Sequence, residues 1–307
     1  ISTFTLGVNE PSYDESGYAR EIAKKFGSIH REEYFSLEDF DSMLTDIVRA
    51  VDCLNANPGL IMMYQYFRLA SRHVKVAISG AGGDELFAGY QTYLADMAHR
   101  YFRFAPLFIK KILLWGSKHL CVSYKKYSYD YVLRRFLEGS FFSREKAHYW
   151  WRNIFTDEEK RKLLNPEVFD SEKIIIDSSY KYIEKFSELD ENFENRALYA
   201  DFHLFLGDNA LVLMDHLSMH FSLEVRPPLL YQRFVDYAVT VPYHFKFKPF
   251  KTKYILRKAY ERKLPNEVIR RKKHGVVAPL GMIFKNHLKP YIQDQLSAER
   301  LDKCNIF

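Results

Sequence analysis

An α/β fold, with a parallel sheet flanked by helices and a large, mostly helical part after it, is what this sequence predicts. Three observations lead there. The first ninety residues alternate short β-rich runs with helical periods. The best strand, Val74–Ile78, runs straight into the glycine-rich turn Ser79–Glu85, and after about residue 93 the pattern turns helical and aromatic. Strands alternating with helices argue for a parallel sheet covered by those helices, with ligands at the strands' C-terminal ends.

Each element has its own signal. Thr3–Val8 is rich in β-formers. Ser12, followed three residues later by Glu15, has the spacing of a capping box, in which a side-chain oxygen and a carboxylate satisfy free N–H groups. Behind it Tyr18, Ala19, Ile22, Ala23 and Phe26 recur at helical spacing, and Gly27 offers a C-terminal stop. Glu33–Phe35 is a short strand candidate. Phe40, Met43, Leu44, Ile47, Val48 and Val51 mark a second amphipathic helix, and Leu60–Ser71 a third.

Composition bounds the rest. The chain of 307 residues is 47% apolar, 16% aromatic and 27% charged, which excludes dominant disorder. A net charge of +6 over this length does not call for nucleic acid, and no such partner is expected. Three scattered cysteines, Cys53, Cys121 and Cys304, form neither a disulfide framework nor a zinc knuckle and fit a reducing cytoplasm. The most apolar run, Ala105–Trp115, is interrupted by Lys110 and Lys111 and is too short to span a bilayer. Arg100–Tyr127 could lie on a membrane surface, but a helix with one wet basic face is the favoured reading, and no membrane partner is expected. Ile1–Leu6 reads as a strand already under way, so the chain is taken as part of a longer polypeptide.

Ser79–Glu85 combines three glycines, a hydroxyl and two carboxylates at a strand end. Without a Cβ, glycines let backbone N–H groups approach a ligand closely. A helix starting near Asp84 would turn its amides toward the same phosphate or carboxylate, and Asp84 is suited to Mg²⁺, a hard cation that often bridges substrate phosphates. A bare turn with a helix cap is the competing explanation.

Ile78–Tyr90 closely resembles the SGxGxDExFxGY motif of glutamine-dependent asparagine synthetases. Asp215–Met219 followed by Ser222–Pro227 is similar to that family's D-x-x-S-M…S-x-E-x-R-x-P block. Lys253–Arg257, Leu264-Pro265, and Arg271–Gly275 with Pro279 match its closing blocks, and Phe4–Val8 with Tyr13–Glu15 fits its start. The resemblance covers essentially the whole chain, although residues 95–195 add little to it.

The resemblance implies a synthetase domain of the adenine nucleotide α-hydrolase-like, PP-loop type. Residues 1–93 would form its nucleotide-binding α/β part and 94–307 its helical part. The implied chemistry is attack of aspartate's β-carboxylate on the α-phosphate of ATP, with Mg²⁺, giving β-aspartyl-AMP and pyrophosphate. Ammonia, released from glutamine by an N-terminal glutaminase domain, then displaces AMP. A homodimer is left open.

Carried over by position, Leu6 lies where the family's strand backbone contacts adenine, Ser79 and Gly80 face the nucleotide, and Asp84 binds Mg²⁺–pyrophosphate. Lys253 matches the lysine that meets the phosphates or the charge developing during adenylation. The competing readings are an ordinary strand leucine and a surface helix lysine. Glu224 and Arg226, alternating beside prolines, read as a structural ion pair shaping the pocket wall. Arg270–Lys273 could lean on phosphate or be a solvated basic run. His216 and His220 stand four apart but have no evident third metal ligand. Asp215, His216 and Ser218 are not a hydrolase triad, because adjacent helix residues point in different directions.

Three departures from the family pattern matter. The SGGxDS phosphate loop is absent along with its central strand, so the 307 residues alone are expected to bind ATP weakly and not to catalyse synthesis. Ala81 stands where a Glu is usual, which points toward another acceptor acid or altered kinetics. His216 stands where Arg or Lys is usual, and Tyr231 where Asp is expected. The leading expectation is an ATP- and glutamine-dependent amide ligase making asparagine. The alternatives are a relative acting on a different carboxylate, as β-lactam synthetases and lasso-peptide cyclases do, and a non-catalytic binding subunit.

Overall fold

A computed structural model describes residues 1–53, 55, 57–126, 128–153, 155, 157–168, 192–271, 275 and 277–306. Two compact units emerge: Ile1–Gln91 with Leu198–Ala278, and Thr92–Ala197 with Pro279–Phe307. The sequence placed all of 94–307 together, whereas the contacts group 198–278 with the first unit.

The first unit is α/β. Strand β1 (Ser2–Gly7) leads to helix α1 (Ser16–Phe26), β2 (Ile29–Tyr34), α2 (Phe40–Val51), α3 (Gly59–Ser71), β3 (Val76–Ile78) and a one-turn helix α4 (Gly83–Leu86). β1 and β2 pair in parallel, with Leu6 opposite Glu33. β3 pairs in parallel with β4 (Glu224–Arg226), with Ile78 opposite Arg226. One core serves both sheets. Met43, Ile47 and Val51 of α2 meet Tyr64 and Phe67 of α3 and Leu213 and Leu217 of the helix Val212–His220. Phe4, Ala77 and Val225, from β1, β3 and β4, pack against that cluster. The i, i+4 spacing on α2 and on Val212–His220 is what lets one stripe of each helix face the sheets.

Several local expectations change. Helix α1 begins at Ser16 with Glu15 in the N-cap position, so Ser12 does not occupy the cap, and its hydroxyl donates to Glu10 Oε1 at 2.9 Å. Asp14 organises this turn, accepting from the N–H groups of Val8 (3.1 Å) and Ser16 (3.2 Å) and from the Ser16 hydroxyl (2.7 Å). Burial pulls its carboxyl up, but these hydrogen bonds outweigh burial and hold it below the usual range. Gly27 ends α1 in the left-handed conformation, φ 60°, as the stop signal required. β2 covers Ile29–Tyr34, not Glu33–Phe35, because its partner β1 supplies six consecutive pairings. β3 shortens to Val76–Ile78, since β4 offers only three residues opposite it.

The second unit is helical. It contains α5 (Thr92–Phe102), α6 (Leu107–Ser117), α7 (Tyr129–Gly139) and α8 (Arg144–Trp150), followed by further helices of about two turns. Asp96 is buried and doubly engaged: its carboxylate meets His148 Nδ1 at 2.6 Å and accepts from Trp151 Nε1 at 3.0 Å. Burying a carboxylate is tolerable only with such partners. Among the described residues no helix is long and apolar enough to cross a membrane.

Candidate active site

The glycine turn is rooted by the sheet. Directly after β3, the Ser79 N–H donates to the Arg226 carbonyl at 3.0 Å, which ties the turn to the end of β4. Gly80 faces open space, with nothing within 4 Å of where a Cβ would stand. Gly82 is the opposite case. Its φ is +87°, and a Cβ there would come within 2.2 Å of Leu230 Cδ2, so conformation and space both require glycine.

After α4 the chain curls back, with Ala88 at φ 49° and the Gly89 N–H donating to the Asp84 carbonyl at 2.8 Å. This brings Gly89 beneath the Asp84 side chain. Lys253 arrives from 169 positions later in the sequence, and its Nζ stands 3.1 Å from Asp84 Oδ1. The pair is seated on glycine. A Cβ on Gly89 would lie 2.0 Å from Asp84 Oδ1 and 2.4 Å from Lys253 Cε, and one on Gly83 would lie 3.4 Å from Lys253 Nζ. The side chains of Lys253 and Asp84 are 25% and 16% exposed, and Asp84 Oδ1, the oxygen that faces Lys253, is buried.

Lys253 holds this position through a strained backbone. It precedes the helix Tyr254–Tyr260 with φ 52° and ψ 38°, a left-handed conformation that costs a non-glycine residue about 1 kcal/mol. Neighbouring contacts over-determine it. Arg257 donates from Nε to the Thr252 carbonyl at 2.8 Å and from Nη1 to the carbonyls of Ile269 and Arg271. Arg271 in turn pairs with Glu15 at 2.8 Å. Strain of this kind persists only where the surroundings enforce it, and it clusters at functional sites.

Two adjacent carboxylates diverge here. Asp84 meets Lys253, whereas Glu85 turns inward, 3% exposed, and takes a hydrogen bond from the Tyr90 hydroxyl. Burial pushes the Glu85 carboxyl above its ordinary range, with Asp84 and Asp201 adding to that, and the Tyr90 bond offsets only part of it. The Tyr90 ring packs edge-on against Phe205 at 5.3 Å, in the π-helical run Asp201–Leu211. Lys253 also borders a cavity of about 680 Å³ with mostly apolar walls, including Phe87, Leu229, Phe234 and Leu256, a size that suits a small molecule.

The remaining sequence candidates lie on several different elements. Ser79 and Gly80 lie in the same turn as Asp84. Leu6 belongs to the other sheet, near the end of β1. Glu224 and Arg226 do pair, with Arg226 Nε at 2.8 Å from Glu224 Oε1, but both side chains are exposed. Lys272, Lys273 and His274 of the basic run lie outside the described residues. His216 Nδ1 contacts the Val51 carbonyl at 2.9 Å and His220 packs on Phe221, so both have structural work. Among the described residues no group of three His, Cys, Asp or Glu side chains could hold a metal ion. Sequence reasoning gave no separate role to Gly89, Glu85 or Tyr90. All three are matched positions of the SGxGxDExFxGY pattern, and their roles become visible once the loop is seen to close.

Comparison with known proteins identifies the family. The family model for asparagine synthase matches residues 1–307. Asparagine synthetase [glutamine-hydrolyzing] 1 of Bacillus subtilis is 28% identical over 305 residues, 98% of this chain and 46% of the relative. A putative asparagine synthetase [glutamine-hydrolyzing] of Mycobacterium bovis is 29% identical over 280 residues, 91% of this chain and 41% of the relative. The chain thus spans a little under half the length of these curated relatives. Matched along its whole length, and with an α/β fold of the PP-loop pyrophosphatase type, the chain belongs to the asparagine synthase family.

Proposed function

We propose that this chain is the synthetase part of an amide-forming ligase, which activates a carboxylate as an acyl-adenylate on ATP and passes it to ammonia. Aspartate is the first candidate substrate, with asparagine, AMP and pyrophosphate as products and glutamine as the ammonia source. The glutaminase would lie in a further domain of a longer protein, and the exposed thiols of Cys53, Cys121 and Cys304 fit work in the cytoplasm. Residues 1–91 with 198–278 would carry the nucleotide, and the rest would complete the same synthetase domain.

One observation carries this reading: the Lys253–Asp84 pair seated over Gly83 and Gly89, just beyond the turn that follows β3. Adenylation brings a carboxylate up to a polyphosphate, two anions whose repulsion needs a cationic clamp. Lys253 supplies a fixed ammonium at that point. On binding, its Nζ would exchange Asp84 for phosphate oxygens, while the open space before Gly80 lets the turn's backbone come close to the nucleotide. Mg²⁺ fits these residues in one way. Asp84 would give a single carboxylate and the phosphates would supply the other oxygens, an arrangement usual for Mg²⁺ and one in which the metal neutralises developing phosphate charge. Leu6, at its strand end, would meet adenine through its backbone. Glu224 and Arg226 would stiffen the rim.

Ala81 and the cavity favour a second reading of the acceptor. Ala81 replaces the family's Glu with a side chain that cannot bear charge, and the cavity beside Lys253 is walled mainly by apolar groups. A carboxylate less polar than aspartate fits both features. The test supplies the full-length protein with ATP, Mg²⁺, ammonia and carboxylate labelled with ¹⁸O, followed by analysis of the nucleotide. AMP carrying ¹⁸O is the expected product, and ADP with phosphate would rule out adenylation. AMP formation with another acid but not with aspartate would select the second reading.

A further inference from the structure

Helix α6 is turned inside out. Lys110 is buried, 7% exposed, with its ammonium donating to the carbonyls of Arg103 (3.0 Å) and Ser140 (2.9 Å) and lying near the rings of Phe102 and Phe141. Desolvation lowers its pKa. Ser117, two turns on along the same side, is buried as well. The apolar residues take the outside: Phe108 is 63% exposed, Ile112 62% and Trp115 67%. At 3.6 residues per turn these three fall within an arc of about 60°, so they form one stripe. Phe104, just ahead of the helix, and Leu120 and Val122, just after it, are exposed too.

Charge identifies what the stripe meets. Between Asp96 and Asp130 there is no Asp or Glu, while Arg100, Arg103, Lys110, Lys111, Lys118, Lys125 and Lys126 all lie there. The chain has 45 Lys and Arg against 39 Asp and Glu, so without these seven the remainder holds 38 against 39. The whole positive excess of the protein therefore sits in the segment that bears the apolar stripe. Arg100, Arg103, Lys111, Lys118 and Lys125 are exposed beside it. An apolar row ending in Trp and flanked by long basic side chains matches the boundary of an anionic bilayer, where hydrocarbon takes the apolar groups and headgroup phosphates take the cations.

We propose that α6 and its flanks form a surface-seeking helix that docks the protein on anionic lipid, lying in the interface without crossing it. This reverses the wet-basic-face reading of Arg100–Tyr127, and the reason is the inward Lys110. The site stands apart from the Lys253–Asp84 cluster in sequence and in chemistry and does not depend on the ligase reading.

The test is sedimentation of the purified protein with vesicles of phosphatidylcholine alone or mixed with phosphatidylglycerol. The protein should sediment with the anionic vesicles and far less with the neutral ones, and brominated acyl chains should quench Trp115. A Phe108→Ser/Ile112→Ser/Trp115→Ser variant, altered only at exposed positions, should bind at least about tenfold more weakly, with an unchanged circular dichroism spectrum. Lys111→Glu/Lys118→Glu should weaken binding as well. Three results would overturn the proposal. One is no sedimentation with either vesicle. Another is full binding by the serine variant, which would leave charge alone as the cause. The third is a dimer in solution that the serine substitutions dissolve while vesicle binding stays absent, which would make the stripe a contact between two copies.

Discussion

Gly89 sets how closely Asp84 and Lys253 approach, because any side chain there would occupy the place of their contact. The clashing atoms belong to side chains and not to backbone, so Gly89→Ala should displace the pair at little cost in stability, within about 1 kcal/mol. Gly82 differs, since its positive φ and the Leu230 side chain are fixed by the fold. Gly82→Ala should destabilise by roughly 1–3 kcal/mol. Urea unfolding of the two variants alongside nucleotide binding checks this: Gly89→Ala should lose binding and keep its midpoint, and Gly82→Ala should lose the midpoint. At this scale the sequence was legible in kind but not in arrangement. Asp84 could be picked out from its glycine turn but Lys253 only through motif context, since 169 residues separate them and nothing local shows that they meet. The left-handed backbone of Lys253 carries no signal in a lysine.

Elements whose pattern matches their burial could be read directly. Helix α2 runs Phe40–Val51 as its apolar period required, with Met43, Ile47 and Val51 buried. β2 was misplaced because it carries Arg31, Glu32 and Glu33 in succession, with no alternation to betray a strand. The helix start was placed too early because α1 begins only at Ser16, where Asp14 reaches both Val8 and Ser16, and Glu15 pairs with Arg271. Helix α6 could not be oriented from sequence, since its apolar residues lie almost all round and the buried position goes to a lysine.

A second buried lysine gives an element-scale prediction. Lys246, at the end of the short helix Tyr243–Lys246, is 4% exposed, and desolvation lowers its pKa from 10.5 to about 8. Its folded value lies below its unfolded value, so the folded state is penalised in full below about pH 8, and the penalty fades as pH rises toward 10.5. Lys246→Met should therefore raise the Tm at pH 7. Its advantage over the parent should shrink by pH 10, as thermal melts at the two values would show. An equal advantage at both would mean that the ammonium is solvated.

For the whole molecule, the fold class and the family were legible because four ordered blocks recur across the chain. The grouping of 198–278 with 1–91 was not, because compact units follow packing and not chain order. The core explains that grouping: Leu213, Leu217 and Leu223 complete the apolar cluster begun by α2 and α3. The same return of the chain delivers Lys253 to the glycine turn, so core and candidate site rest on one topological fact.

The most direct measurement is carboxylate-dependent exchange of labelled pyrophosphate into ATP, compared between the full-length protein that carries this chain and its Lys253→Met variant. Exchange should fall about a hundredfold or more on loss of the ammonium, with the circular dichroism spectrum unchanged. A variant that exchanges pyrophosphate at the parent rate would show that Lys253 and its contact with Asp84 lie outside the adenylation site.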